Sequence, residues 1–249
     1  MSNCGGPVTP GRIPVFRRCR RAVAAGIAFI AVAGVANVAA APVVGETWTY
    51  RVANGYNNEV RGRVEYRVDK VEAGRITVQV VPEMPAMGFQ RTEVYTSEGN
   101  WLRHPLINHD RPVEYEFAQP YPAYVFPLEP GKSWSLRIEA TNPATGQRNS
   151  VRVDGEVLGT ERVSVPAGAY DTIKVRRRVY TGDFEFERSE THVDETDWYA
   201  PALRRPVRIE SRSGYMDRAA CTDEKSACTP VRGDWNIYEM LETGGAARQ

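Results

Sequence analysis

The amino-acid sequence predicts an all-β protein built from antiparallel meanders. We expect a duplicated two-lobe arrangement that forms a sandwich or an open half-barrel after an N-terminal signal segment. Residues 60–69 alternate small or apolar side chains with charged ones, which is typical of a strand with one solvent-facing side. Shorter alternating runs follow at 76–80 and 151–153, with turn residues such as Asn54-Gly55 between them. A second observation, an internal repeat, predicts the duplication.

The first 40 residues have the composition of a secretory signal peptide. They contain five arginines and no Asp, Glu or Lys, and an apolar run extends from Ala22 to Ala36. Small residues then predict cleavage between Ala40 and Ala41. The alternative is an uncleaved anchor, because apolar residues continue to Val44, but alanine and glycine make this run a weak membrane span. The sequence therefore predicts a periplasmic or otherwise exported protein with no stable membrane span after cleavage.

The internal repeat sets the predicted domain organisation. Gly45–Val52 (GETWTYRV) returns as Gly131–Ile138 (GKSWSLRI), and Thr92-Glu-Val-Tyr is echoed by Thr191-His-Val-Asp. We expect one all-β domain over 41–243. Its predicted parts are a first lobe at about 45–107, a Pro- and aromatic-rich crossover at 108–130, a second lobe at 131–210, a disulfide loop with the last strand at 211–243, and a disordered tail at 244–249.

The crossover is expected to contain no central strand and no helix, because prolines recur between Pro112 and Pro127. The last strand is expected between Trp235 and Leu241.

Two cysteines remain after the predicted cleavage, Cys221 and Cys228. They bracket a polar loop in a compartment where disulfides persist, so a disulfide is the favoured interpretation. Closing so short a loop stabilises a fold by about 2.5 kcal/mol. Zinc binding is the alternative, but two thiols without a neighbouring histidine form at most half of a zinc site.

The charge distribution gives no reason to expect nucleic acid as a partner. Removing the arginine-rich signal leaves a mildly acidic chain, and the one basic run is Lys174–Arg178. If Thr181-Gly182 is a two-residue turn, Arg178 faces Glu185 and Arg176 faces Glu187 across a hairpin. The basic run is then expected to be a solvated face opposite an acidic strand.

Motifs for catalysis, cofactors and metals are sparse. The chain has three histidines, and His104, His109 and Asp110 lie together in a loop-like segment without the spacing of a metal motif. His192 lies among acidic residues and is expected at the surface. Gly-x-Ser-x-Gly and phosphate-binding loops are missing from the sequence. We therefore assign no catalytic residue, no cofactor and no metal ligand, although a carboxylate pair of a glycosidase cannot be recognised from sequence.

Four aromatic residues are candidates for lining a cavity. Trp48 and Trp134 occupy equivalent places in the repeat, and Tyr121 and Tyr124 lie in the crossover. Packing in a core is the favoured interpretation of the two tryptophans, and it explains the two tyrosines as well as a cavity does. The functional hypothesis is that they line a space between the sheets, where aromatic rings would stack on a ligand.

Three phrases of the chain resemble a family of exported bacterial proteins. They are Phe126–Trp134 (FPLEPGKSW), Gly159–Lys174 (GTERVSVPAGAYDTIK) and Glu195–Pro201 (ETDWYAP). In these phrases the chain is similar to the domain of unknown function 3108 and its relatives, over roughly residues 125–215. The resemblance implies an exported β-rich fold. It implies no catalytic residues, because such families have no settled activity.

These observations lead to one leading hypothesis and two alternatives. The leading one is a non-enzymatic periplasmic or envelope protein that binds a lipid-like, apolar or envelope-derived ligand. The first alternative is a hydrolase that acts on envelope glycan or peptide. The second is a structural partner in an envelope protein complex, for which an unpaired edge strand or an exposed apolar patch would be the sign.

Overall fold

The computed structural model describes residues 42–84, 88–108, 111–182, 187–219 and 228–245. All of them belong to one compact unit, Asn37–Gln249. These residues form twelve strands: β1 (Thr47–Asn54), β2 (Val60–Glu72), β3 (Arg75–Pro82), β4 (Arg91–Thr96), β5 (Trp101–Asn108), β6 (Arg111–Phe117), β7 (Ser133–Thr141), β8 (Arg148–Val165), β9 (Gly168–Tyr180), β10 (Arg188–Ala200), β11 (Arg205–Asp217) and β12 (Thr229–Gly244). The prediction of an all-β antiparallel fold is confirmed.

The twelve strands form a closed barrel in which each strand pairs with its neighbours along the chain. β1 closes the ring by pairing antiparallel with β12, from Thr47 opposite Gly244 to Asn54 opposite Asn236. The expected sandwich or open half-barrel is therefore wrong. The physical reason is that the first and last strands satisfy each other's backbone groups, which an open sheet would leave at its edges.

Side chains alternate between a buried and an exposed face along the strands. In β9, Val175, Arg177 and Val179 are buried, whereas Arg176 and Arg178 are exposed. The buried apolar side chains of the described residues form two clusters. The first is centred on β6–β9 and the second on β1–β3, with β12 contributing Met240. Alternation thus builds the barrel interior from one face of each strand.

The repeat falls on corresponding strands when the ring is counted as two runs of six. Trp48 is the second residue of β1, and Trp134 is the second residue of β7. The segments around Thr92 and Thr191 lie in β4 and β10. Both runs belong to one continuous ring, in which β6 pairs with β7.

Part of the predicted crossover is a strand. β6 begins at Arg111 and pairs with β5, with Pro112 opposite Ile107. The expectation that prolines exclude a central strand here is wrong, because β6 pairs with both β5 and β7. The strand tolerates Pro112 because this proline lies near its start and only two residue pairs join it to β7. The segment between β6 and β7, residues 118–132, has no strand and is called the crossover below.

The end of the chain and one hairpin also differ from expectation. β12 is longer than the predicted 235–241 strand and includes Gly244, which was assigned to the tail; residues 246–249 lie outside the described residues. Arg178 pairs with Asp194, and Arg176 with Thr196, so the two-residue turn at Thr181-Gly182 is wrong. The connection between β9 and β10 is longer than two residues, so the residues of β10 that face Arg176 and Arg178 lie further along the chain than predicted.

Several predictions concern residues beyond the described ones. The signal segment 1–40, the cleavage site at Ala40 and Ala41, and Cys221 lie outside the described residues. Cys228 is disulfide-bonded, and its pairing with Cys221 remains a prediction. In the described part of the chain, no helix has the length and apolar character needed to cross a membrane.

Candidate functional site

A buried ionic cluster lies in the barrel interior on β9 and β10. It consists of Arg177, Glu195 and Asp197, and the side chains of Arg177 and Asp197 are almost completely buried. Arg177 Nη2 lies 2.9 Å from Asp197 Oδ2 and 3.0 Å from Glu195 Oε2. Strand alternation places all three here, since Arg177 is opposite Glu195 in the register and Asp197 follows two residues later on the same face.

The crossover is fastened to this cluster by polar contacts. Tyr124 Oη donates a hydrogen bond to Asp197 Oδ2 at 2.5 Å, and Arg177 Nη1 donates to the Ala123 carbonyl at 3.2 Å. The Arg177 guanidinium also lies 5.4 Å from the centre of the Tyr124 ring. Residues 121–124 are all buried, so this part of the crossover occupies interior space.

A side chain outside the cluster, that of Asn100, also holds the crossover. Asn100, in the β4–β5 turn, accepts a hydrogen bond from the Tyr124 amide at 2.8 Å and donates one to the Tyr124 carbonyl at 2.9 Å. The Tyr121 amide donates to the Trp101 carbonyl at 2.8 Å. Side chains therefore supply most of the polar partners of this segment, in contrast to the backbone ladders of the strands.

Burial and charge shift the proton affinities of the cluster. Burial raises the pKa of Asp197, although the neighbouring Arg177 charge partly offsets it. Burial also raises the pKa of Tyr124, and the charge of Asp197 raises it further. For Arg177, burial acts to lower the pKa, but Asp197 and Glu195 outweigh it, and the pKa lies well above its ordinary value. Asp197 Oδ1 has no hydrogen-bond partner among the described groups. The arrangement holds a fixed cation inside the barrel.

A second buried cluster surrounds Glu93 on β4. Arg91 Nη2 lies 2.7 Å from Glu93 Oε1, His104 Nδ1 lies 3.2 Å from Oε2, and Tyr95 and Trp101 also donate to this carboxylate. Burial alone would raise the pKa of Glu93, but the interactions with His104 and Arg91 and these hydrogen bonds hold it well below its usual range. Glu93 is thus a buried and fully partnered carboxylate.

Aromatic rings lie between the two clusters. The Trp101 indole stacks on His104 with ring centres 4.2 Å apart, and the rings of Tyr121 and Tyr95 lie 5.3 Å and 5.9 Å away. Burial raises the pKa of Tyr238, and both Glu195 and Glu93 contribute to that rise. The two clusters therefore act on the same stretch of the interior, although β4 and β10 are six strands apart in the ring.

The four aromatic residues predicted to line a cavity are found in two different cores. Tyr121, Tyr124 and Trp134 belong to the first cluster of apolar side chains, and Trp48 belongs to the second. Trp134 lies over Gly155, where a Cβ atom would come within 2.1 Å of the indole ring, and donates to the Pro122 carbonyl at 3.2 Å. Trp48 stacks on Tyr66 and carries the Arg205 guanidinium at 3.4 Å. Their role in a cavity remains a prediction.

The described histidines give no support to a metal site at His104, His109 and Asp110. His104 is engaged with Glu93, whereas His109 and Asp110 lie outside the described residues. His192 Nδ1 contacts the Glu190 carbonyl at 2.7 Å. Within the described ranges no group of His, Cys, Asp and Glu side chains is arranged to hold a metal ion.

Sequence reasoning missed the charged interior. It treated the whole run Lys174–Arg178 as a solvated face, and this is wrong for Arg177. A signal was available, because period-two alternation places Arg177 on the same face as Val175 and Val179. Glu93 had no comparable signal, because its neighbours on the same face of β4 are Arg91 and Tyr95 rather than aliphatic residues.

The chain matches no protein-family model and no curated protein. Among solved structures, it is similar to a predicted lipoprotein from Parabacteroides distasonis, at 16% identity and a TM-score of 0.49, with 81% of this chain and 96% of that chain covered. A predicted exported protein with a YmcC-like fold from Bacteroides fragilis has 16% identity, a TM-score of 0.45 and coverage of 82% and 97%. The hypothetical lipoprotein YmcC from Escherichia coli has 13% identity, a TM-score of 0.42 and coverage of 82% and 87%.

The structural neighbours are thus exported proteins and lipoproteins by description. At these levels of identity and TM-score the similarity extends to neither mechanism nor ligand. The resemblance of residues 125–215 to the domain of unknown function 3108 remains a prediction.

Proposed function

We propose that this chain is an exported, non-enzymatic binding protein for an amphipathic, lipid-like ligand. Its site would be the interior space that residues 121–124 of the crossover occupy. The observation that carries the proposal is the way this segment is held. It is buried, yet side chains of Asn100, Arg177 and Asp197 supply its principal polar contacts. Such contacts can be exchanged for those of a ligand without breaking the barrel ladder.

The surroundings of this segment match an amphipathic ligand. Trp101, Trp134 and Phe117 pack around the crossover or against the same core, and they would contact an apolar chain. Displacing the segment would free Arg177 from the Ala123 carbonyl and Asp197 from the Tyr124 hydroxyl. The freed Nη1 donor of Arg177 and the freed oxygen of Asp197 would then be available to bind the polar head group of a ligand.

The predicted signal peptide supports an extracytoplasmic location for such a carrier. The hydrolase alternative gains less support, because the neighbouring carboxylates Glu195 and Asp197 share Arg177 and Asp197 is almost completely buried. The envelope-partner alternative loses one expected sign, since the ring of described strands has no unpaired sheet edge.

The first test uses protein purified gently from the periplasm. Native mass spectrometry detects a bound ligand, and solvent extraction with lipid analysis identifies it. The protein should then be titrated with oleate while tryptophan fluorescence is followed. We expect Asn100→Ala, which loosens the crossover, to bind oleate more tightly, and Arg177→Gln to bind it at least about tenfold more weakly. Gln119→Ala, on the exposed part of the crossover, is the matched control and should leave affinity unchanged.

Urea unfolding must show that each variant is folded under the titration conditions. Absence of any extracted lipid, together with no oleate binding by the parent protein or by Asn100→Ala, would overturn the proposal.

A further inference from the structure

A surface groove lies on the exposed face of β7, β8 and β9, away from the buried clusters. Its volume is 340 Å³, at the lower end of the range of small-molecule sites. The groove is lined by Arg137, Ser150, Arg152, Tyr180, Gly182 and Glu190. All but glycine carry polar groups, and two of them are cations.

The two arginines are placed against each other by the strand register. Arg137 on β7 is directly opposite Arg152 on β8, and Arg152 is directly opposite Tyr180 on β9. Like charges directly opposite each other in an antiparallel pair destabilise a sheet. Nearby exposed arginines avoid this cost, since Arg176 pairs with Glu156 and Arg178 with Asp194.

Arg137 lacks such compensation. Its Nη1 donates to Ser150 Oγ at 3.2 Å, and no carboxylate among the described residues forms an ion pair with it. Arg152 is held over the Tyr180 ring, with 4.0 Å between its guanidinium carbon and the ring centre. Its Nε lies 3.2 Å from Asp154 Oδ2. The edge of the guanidinium that bears the Nη atoms has no ion pair to a described carboxylate.

We propose that this groove binds a carboxylate-bearing sugar, as a free uronic acid or as a unit of an acidic saccharide. Arg137 and Arg152 together would bind the carboxylate, which relieves their mutual repulsion and uses the paired donors of each guanidinium. Ser150 and Glu190 would bind sugar hydroxyls, and the Glu190 carboxylate disfavours a second negative charge on the ligand. This site is independent of the proposed interior site, because it uses the exposed face of the sheet.

The test is a titration of the mature protein with galacturonate. Binding is measured by isothermal titration calorimetry and by the chemical-shift changes of the backbone amides in NMR spectra. Galactose serves as the neutral counterpart and inorganic phosphate as an anion without hydroxyl stereochemistry. We expect galacturonate to bind at least about tenfold more tightly than either, with amide shifts confined to the region around Ser150 and Tyr180.

Three variants separate the groove from general surface charge. Arg137→Gln and Arg152→Gln should each weaken galacturonate binding by about tenfold or more. Arg176→Gln removes the same charge from the same sheet face outside the groove and should change affinity less than about twofold. All three positions are exposed or half-exposed, so the variants should fold.

Several results would overturn the assignment. They are equal affinity for galactose, equal affinity for phosphate, an equal loss of affinity in Arg176→Gln, or no detectable galacturonate binding at about 10 mM. Loss of oleate binding at the interior site would leave this result unaffected, so the two proposals fail separately.

Discussion

At the residue scale, the charged side chains of the interior can be buried only because each has a complete set of polar partners. Arg177 lies between two buried valines of β9, and transferring an unpaired charge into such a place costs several kcal/mol. Two carboxylates and a backbone carbonyl surround its guanidinium. Removing one partner is therefore expected to cost more than the pair itself contributes to stability.

We expect Arg177→Met to lower the free energy of unfolding by about 3–5 kcal/mol, because it leaves Asp197 buried without its cation. Arg178→Met is the control on the adjacent residue. Arg178 forms two hydrogen bonds to Asp194, but both side chains are substantially exposed, so its loss should cost at most about 1 kcal/mol. Urea unfolding of both variants checks the difference, and equal losses would contradict the assigned burial.

Glu93 predicts a pH dependence of stability. Its folded-state pKa lies well below the ordinary value, since His104, Arg91 and several donors stabilise the carboxylate despite burial. The unfolded chain binds a proton at higher pH than the folded chain does. The stabilisation is therefore present above about pH 5, and it is lost as the pH falls below the unfolded-state pKa of about 4.3.

We expect Glu93→Gln to destabilise the protein at pH 7 and to flatten the decline of stability between about pH 5 and pH 3. Glu72→Gln changes an exposed carboxylate on β2 and should leave that decline unchanged. The measurement is the urea midpoint of unfolding across this pH range for the parent protein and both variants. An unaltered slope in Glu93→Gln would show that other groups cause the acid sensitivity.

At the element scale, the crossover differs from the twelve strands in how its backbone is satisfied. Strands pair through regular ladders, whereas Tyr124 relies on the side chain of Asn100 for both its amide and its carbonyl. A short segment held by side chains opens more readily than a strand in the middle of a sheet. The crossover is accordingly the part of the interior that a ligand could displace most readily.

We expect Asn100→Ala to lower stability by about 1–3 kcal/mol and to speed hydrogen exchange at the Tyr124 amide, while amides in the β8–β9 ladder keep their protection. Asn100→Asp keeps an acceptor for the amide but places a carboxylate oxygen against the Tyr124 carbonyl, so it should cost at least as much as Asn100→Ala. Hydrogen exchange followed by NMR measures both. Uniform loss of protection across the barrel would mean that the crossover opens only with global unfolding.

At the scale of the whole molecule, closure of the ring joins two apolar cores into one structure. The cores have different members, yet a single continuous ladder passes through both of them. Neither run of six strands has a free edge inside the closed ring of the described strands. Unfolding of one run would expose backbone groups of both terminal strands of the other.

We therefore expect one cooperative unfolding transition. Val153→Ala in the first core and Val78→Ala in the second both truncate fully buried side chains, and each should lower the same midpoint by an amount equivalent to about 2 kcal/mol. Far-UV circular dichroism and tryptophan fluorescence should give coincident curves. Two transitions, each shifted by only one of the variants, would mean that the halves unfold as separate lobes.

The period-two patterns were sufficient to predict an all-β antiparallel fold, and the repeat located Trp48 and Trp134 at the starts of β1 and β7. Patterns of this kind are readable because pleating relates a side chain to residues two positions away. The charge run at Lys174–Arg178 was misread for Arg177, since a run of like residues conceals alternation unless the flanking valines are counted.

What the sequence by itself determined is therefore local: which segments are strands, which of their faces is apolar, and where turns separate them. Only the tertiary structure decided that β1 meets β12, that the crossover enters the interior, and that Arg177 and Glu93 lie buried on distant strands. Those outcomes depend on contacts between residues far apart in the chain, and the closure of a ring is a property of all twelve strands together.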